Sequence, residues 1–260
     1  MQAMARRLFL AALTAAFAAG AAAEVEIRIV YDNTAAEAGF TEDWGFSAAV
    51  SAGDARILFD SGADADVFMR HLQKLGIDPA SITAAVISHH HADHRGGIFR
   101  FVLKNRSVPV YFLDSFPRNV FELAWAVGMR LRRVKGPAEI APGVFTTGEI
   151  DGRIPEQALV VESPLGLVIL VGCGHPGVAK MVETAARQHP SPKIRLVLGG
   201  FHMMRWSEEQ IQTEIERLKA LGVEQVAPAH CTGEKAKRLF RRAWGRNYLA
   251  AGAGRRIVVR

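Results

Sequence analysis

The segment Ser88-His89-His90-His91-Ala92-Asp93-His94-Arg95-Gly96-Gly97 sets His89, His91, Asp93 and His94 on one short stretch behind an apolar run. Imidazoles and carboxylates crowded in this way are metal ligands, and the chemistry they support is hydrolysis by metal-activated water. In an extended chain, residues two apart face the same way. His89 and His91 can therefore converge on one cation while Asp93 and His94 turn toward a second. By the same parity His90 points away and serves as a spacer. The plain alternative is a solvated polar loop, which the remaining histidines argue against.

Seven of the nine histidines fall in four places, each a loop at the end of an expected strand: His89, His90, His91 and His94, then His175, His202 and His230. The other two, His71 and His189, occupy expected helix positions and read as ordinary surface residues. Cys173 and Cys231 are too few to staple a chain of 260 residues. Their company with His175 and His230 favours thiols lining a metal site over a disulfide.

The elements that must carry these loops follow from the hydrophobic pattern. Strands are expected at Val25 to Tyr31, Phe46 to Val50, Arg56 to Asp60, Thr83 to Ser88 and Val108 to Leu113. Helices are expected at Asp64 to Leu75 and Asn119 to Val127. A second strand group opens with Leu159 to Glu162 and Leu167 to Val171 around the turn Ser163-Pro164-Leu165-Gly166. Strands Ile194 to Leu198 and Gln225 to Ala227 then alternate with helices Val178 to Gln188, Glu208 to Leu221 and Glu234 to Ala243. Strands followed by alternating helices, twice over, predict an α/β fold of two sheets face to face with helices outside. No linker interrupts residues 24–260, so one domain is expected there.

Residues 1–23 differ in kind. Arg6 and Arg7 precede an apolar, Ala-rich run from Leu8 to Ala19, and Ala21-Ala22-Ala23 precedes Glu24. This is the pattern of a secretory signal peptide, which predicts a periplasmic or secreted protein with no stable membrane insertion after cleavage. The run is short for a bilayer span. With the segment removed, two of the 32 Lys and Arg go and no acid does, so 30 bases face 26 acids and the net charge falls from +6 to +4. The bases concentrate in Arg130, Arg132, Arg133 and Lys135, and in Lys235, Lys237, Arg238, Arg241 and Arg242. These clusters could steer an anionic small-molecule substrate or meet a membrane surface. The second reads as the solvated face of a helix whose Leu239, Phe240 and Trp244 point inward. No nucleic-acid motif accompanies either, so no nucleic-acid partner is expected.

Taken with Leu58-Phe59-Asp60-Ser61-Gly62, the histidine loop resembles that of the metallo-β-lactamase fold superfamily. Four further segments narrow the resemblance to the subfamily typified by 7,8-dihydropterin-6-methyl-4-(β-D-ribofuranosyl)aminobenzene-5′-phosphate synthase. They are Asp43-Trp44-Gly45-Phe46-Ser47, Gly172-Cys173-Gly174-His175-Pro176-Gly177, Gly199-Gly200-Phe201-His202 and Pro228-Ala229-His230-Cys231-Thr232-Gly233. The resemblance implies a four-layer αββα sandwich with two divalent metal ions at the shared edge of the sheets. It implies His89, His91, Asp93, His94 and His230 as ligands, and Asp60 as the carboxylate that orients a ligand histidine through its other ring nitrogen. The family pattern holds one more histidine and an Asp bridging both metals; here Gly172-Cys173 stands at that strand end without an Asp. His175 is the first choice for the remaining ligand, His202 the second, and Cys173 a thiolate substitute. Zinc suits the set best, and manganese(II) or iron(II) also fit.

The stretch from Phe101 to Glu156 is short where such relatives carry a longer insertion, so the expected function is that of the wider superfamily. The chain is expected to be a metallo-hydrolase in which bound water, its pKa lowered to about 7, attacks an ester, amide or phosphoester while Asp93 takes or relays the proton. Two other readings compete: a transferase or synthase acting on a phosphorylated dihydropterin-type substrate, and a non-catalytic metal-binding module.

Overall fold

In a computed structural model the described residues are 24–190 and 193–260. Met1 to Ala23, where an export signal is expected, lie outside them. Two sheets form the centre. The first contains seven strands in the order β13-β1-β2-β3-β4-β5-β6 and the second six in the order β12-β11-β10-β9-β8-β7.

In the first sheet β1 (Val25–Tyr31), β2 (Ser47–Ala52) and β3 (Ala55–Phe59) pair antiparallel. The sheet continues in parallel through β4 (Ala84–Val86), β5 (Pro109–Leu113) and β6 (Arg130–Val134). The second repeats the plan. Its β7 (Ala138–Ala141), β8 (Val144–Thr146), β9 (Leu159–Ser163) and β10 (Gly166–Val171) are antiparallel, after which β11 (Ile194–Gly200) and β12 (Gln225–Ala229) add in parallel. The final strand, β13 (Arg256–Val259), returns to pair with β1.

Side-chain alternation along these strands builds three apolar layers. Ile27, Ile29, Ile57 and Phe59 of the first sheet meet Val168, Leu170, Leu196 and Leu198 of the second in a buried layer between the sheets. The opposite face of the second sheet, with Ile169, Val171 and Val197, is covered by α5 (Val178–Arg187), α6 (Glu208–Ala220) and α7 (Glu234–Trp244). The outer face of the first, with Leu58, Ile87, Val110 and Phe112, is covered by α1 (Ala65–Lys74), α3 (Ile98–Phe101) and α4 (Arg118–Ala126). The result is the αββα sandwich that the pattern predicts. No helix among the described residues is long and apolar enough to cross a membrane.

Two findings differ from the sequence reading, and a third adds to it. His71 is buried, not a surface residue: on α1 it shares a face with Val67, Phe68 and Leu72. Its Nδ1 donates to Val30 O at 2.8 Å and its Nε2 accepts from Thr41 N at 2.9 Å, so both ring nitrogens are satisfied inside. His189 is likewise no free surface residue. Its ring packs 5.0 Å from that of Phe145, and Nδ1 lies 3.2 Å from Glu162 Oε1. Arg130, Arg132 and Arg133 lie on β6, the outermost strand of its sheet. Exposed charges there also block further strand pairing.

Candidate metal centre

The parallel strands all end at one edge, and their C-terminal ends carry the chemistry. Asp60 follows β3, Ser88 and His89 follow β4, Cys173 and His175 follow β10, His202 follows β11 and His230 follows β12. His91 keeps an extended backbone (φ −64°, ψ 147°) and caps a single-turn helix, α2 (Ala92–Arg95). That change of conformation separates the four ligand candidates. His89 and His91 share one side of the extended run, while the helical turn aims Asp93 and His94 elsewhere.

Two groups result. The ligand atoms of His89, His91 and His175 lie within 4.8 Å of one another, and so do those of Asp93, His94 and His230. Asp93 Oδ2 is 3.2 Å from His230 Nε2 and 3.7 Å from His94 Nε2. His175, the first choice for the extra histidine, thus completes the His89 group. His202 does not; it falls in a separate cluster with Cys173 and Cys231. Cys173 Sγ also lies 3.2 Å from His94 Nε2, placing a thiol where the two histidine groups meet. His90 joins none of these clusters, its ring lying 5.0 Å from that of His91 and 6.3 Å from that of Phe116.

Each buried ring is oriented by a partner on its Nδ1 side. Asp60 Oδ2 accepts from His94 Nδ1 at 2.7 Å and from Ser88 Oγ at 2.8 Å. With its one proton given to Asp60, Ser88 Oγ must accept from His89 Nδ1, 2.9 Å away. Asn33 Oδ1 accepts from His230 Nδ1 at 2.8 Å, and Asp32 Oδ1 accepts from His230 N at 2.7 Å. In His89 the proton is thereby held at Nδ1 and Nε2 is left bare, while His230 Nε2 faces Asp93 Oδ2. The Nε2 atoms of His89, His175 and His230 are all buried without a hydrogen-bond partner. Each such orphan costs about 1–3 kcal/mol. Three of them converging in one pocket make a poor purely structural arrangement and a good set of metal ligands.

Backbone strain marks the same place. Asp60 (φ 58°), His202 (φ 53°) and His230 (φ 44°) are the non-glycine residues with positive φ among the described residues. A left-handed residue costs roughly 1–2 kcal/mol, and here the strain falls only on residues that aim side chains at this edge. Gly172 is required for space, because a Cβ there would run into Ser88 Oγ and Asp60 Oδ2.

Electrostatics follow from burial and proximity. Burial, with His94, His175 and His91 nearby, pushes His89 well below the ordinary histidine value. Burial, then His202 and His91, take His175 down to about 3. His94 goes the other way: burial opposes its charge, but Asp60 outweighs it and raises the ring to about 9. Burial pushes the Asp93 carboxyl up, yet its contact with His230 and the charge on His94 together hold it well below the usual carboxylate range. Asp93 is therefore an anion at neutral pH.

The residues that sequence reasoning missed stand behind the ligand candidates. Fully buried Glu156 accepts from Cys173 N at 2.8 Å, Gly174 N at 3.0 Å and His175 N at 2.9 Å, clamping the loop that carries two ligand candidates. It sits in an irregular stretch with no local signal. Asp32 and Asn33 were more accessible to such reasoning, being polar residues that end a buried strand.

Residues 45–230 match the model of the metallo-β-lactamase superfamily. The 7,8-dihydropterin-6-methyl-4-(β-D-ribofuranosyl)aminobenzene-5′-phosphate synthase of Methanocaldococcus jannaschii is 29% identical over 250 residues, covering 78% of this chain and 84% of the relative. Among solved structures, a metal-dependent hydrolase of the β-lactamase superfamily is 28% identical, with a TM-score of 0.78 over 90% of this chain and 99% of that one. The metallo-β-lactamase fold protein YhfI from Bacillus subtilis has the same fold at 12% identity, with a TM-score of 0.69 over 91% of this chain and 100% of that one. From its fold, its strand-end histidines and the match over residues 45–230, this chain is a member of the metallo-β-lactamase superfamily of enzymes.

Proposed function

We propose that the chain is a hydrolase of an ester, amide or phosphoester bond in a small molecule, working with two divalent cations. His89, His91 and His175 would hold one and Asp93, His94 and His230 the other. The observation that carries this reading is the set of buried, unpartnered Nε2 atoms on His89, His175 and His230. When bound, such cations generate a nucleophile from water near neutral pH and polarise the electrophile.

The chain's own contribution is orientation and charge. Asp60, Ser88 and Asn33 lock the rings of His94, His89 and His230. Asp93, ionised and partly exposed, can accept a proton at Oδ2 beside His230. Trp44 packs at a tilt with its ring 4.8 Å from that of His230 and is 47% exposed, offering an apolar surface at the mouth for the substrate's non-reacting part. The likeness to a metal-dependent hydrolase at 28% identity supports the reading. Zinc fits the nitrogen and oxygen donors best.

The 29% identity to the synthase supports a second reading, transfer chemistry on a phosphorylated dihydropterin-type substrate. Metal analysis of the purified protein, with a panel of ester, lactone, phosphodiester, β-lactam and phosphorylated pterin substrates, separates the two. Hydrolysis that stops on chelation and returns with zinc is expected; turnover of the pterin alone would favour the synthase. We also propose export, on the pattern of residues 1–23. N-terminal sequencing of protein from its native cell should start near Glu24, and an intact Met1 would refute export.

A further inference from the structure

Cys173, His202 and Cys231 lie beside the two histidine groups, and Cys173 also shares a group with His89 and His94. Their ligand atoms are within 4.8 Å of one another. Both sulfurs belong to buried residues and are 3.2 Å apart, far beyond the roughly 2.05 Å of a disulfide and too close for indifferent packing. Three chain segments, after β10, β11 and β12, must meet to make this contact.

Independent features show that the cluster is built. His202 is an exposed residue, yet its backbone is strained (φ 53°) and its ring nitrogen lies within 4.8 Å of both sulfurs. A free surface histidine has no reason to bear that strain. Gly200 makes the room: a Cβ there would lie 2.7 Å from Cys231 Sγ. Thr232 Oγ1 accepts from Phe201 N at 3.1 Å, tying the loop of His202 to the loop of Cys231.

We propose that Cys173, His202 and Cys231 form a third cation position, contiguous with the histidine groups and selective for a thiophilic ion such as zinc or iron(II). Two thiolates and one imidazole are a soft donor set. Cys173 Sγ, which also reaches His94, couples this position to the others. The exposed His202 side leaves a coordination place open toward solvent, where an exchangeable ligand can enter. The inference rests on the chain being a metalloprotein but not on its being a hydrolase.

Cobalt(II) titration of the reduced full-length protein tests it. Visible ligand-field bands report the histidine groups, and near-ultraviolet thiolate-to-cobalt charge transfer reports the sulfurs. Charge transfer is expected in the parent protein. His202→Gln and Cys231→Ser should each lose about one equivalent of bound cobalt and much of that absorption, keeping the visible bands. His202 is exposed, so its variant folds even where Cys231→Ser does not. Absence of charge transfer with visible bands present overturns this inference alone, and absence of both also overturns the histidine centre. Charge transfer and stoichiometry unchanged in His202→Gln would assign the sulfur to the His94 site and overturn the third position. So would an intact mass showing a Cys173–Cys231 disulfide in protein kept without reductant.

Discussion

Asp60 Oδ2 lies 2.7 Å from His94 Nδ1, and both side chains are fully removed from solvent. The same carboxylate accepts from Ser88 N at 2.7 Å and Ser88 Oγ at 2.8 Å, so one residue after β3 orients His94 directly and His89 through Ser88. Replacing Asp60 with Asn keeps the volume and tolerates the positive φ. It also turns an accepting oxygen into a donor that must face either His94 Nδ1 or Ser88. Metal affinity should fall about 10- to 100-fold, measured by competition with a chromophoric chelator. Unchanged affinity would remove Asp60 from the centre.

His91 is half-buried and stands at the start of α2, with no partner that the fold depends on. His91→Ala should therefore lose metal and activity while changing the stability of the metal-free protein by less than about 1 kcal/mol. Metal content per chain and urea unfolding in the presence of chelator check both halves. Full metal content in the variant would rule out His91 as a ligand.

Glu156 is expected to matter as much as a ligand without touching a cation. Glu156→Gln sets an amide group against three backbone N–H donors that need acceptors. The expected cost is about 1–3 kcal/mol in urea unfolding, together with weaker metal binding through His175. Parent-like metal content and stability would mean that the Cys173 to His175 loop holds its own shape.

The pH dependence of the metal-free protein has a definite sign. His94 is raised to about 9 from 6.5, so the stability it contributes is fully present below pH 6.5 and is lost as pH rises through about 9. His175 is lowered to about 3 from 6.5, so its contribution is present above pH 6.5 and is lost as pH falls toward 3. Thermal unfolding with chelator should show stability declining on both sides of about pH 6.5. A cation taking His94 Nε2 must also displace its proton, so binding at pH 8 should release a proton, read by calorimetry in buffers of different ionisation enthalpy. A melting temperature that climbs steadily from pH 7 to 9, with no proton release, would contradict the assignment to His94.

The amino-acid sequence by itself determined what is local. Four ligand candidates sit on one stretch, where spacing dictates which side chains share a side, and apolar alternation set strands such as Val25–Tyr31 where they are found. The turn at Ser163 to Gly166 was readable for the same reason, since it is made within a few residues. The short strands β6, β7 and β8 escaped because charged or broken segments show no period of their own and pair only where the sheet edge offers a partner. Sheet order alone decided the rest. It brought His175 to His89, Cys231 to Cys173 and Glu156 beneath the Cys173 loop. Those contacts join residues far apart in the chain, and their register follows from how whole layers bury their apolar faces, a free energy that no single stretch of sequence contains.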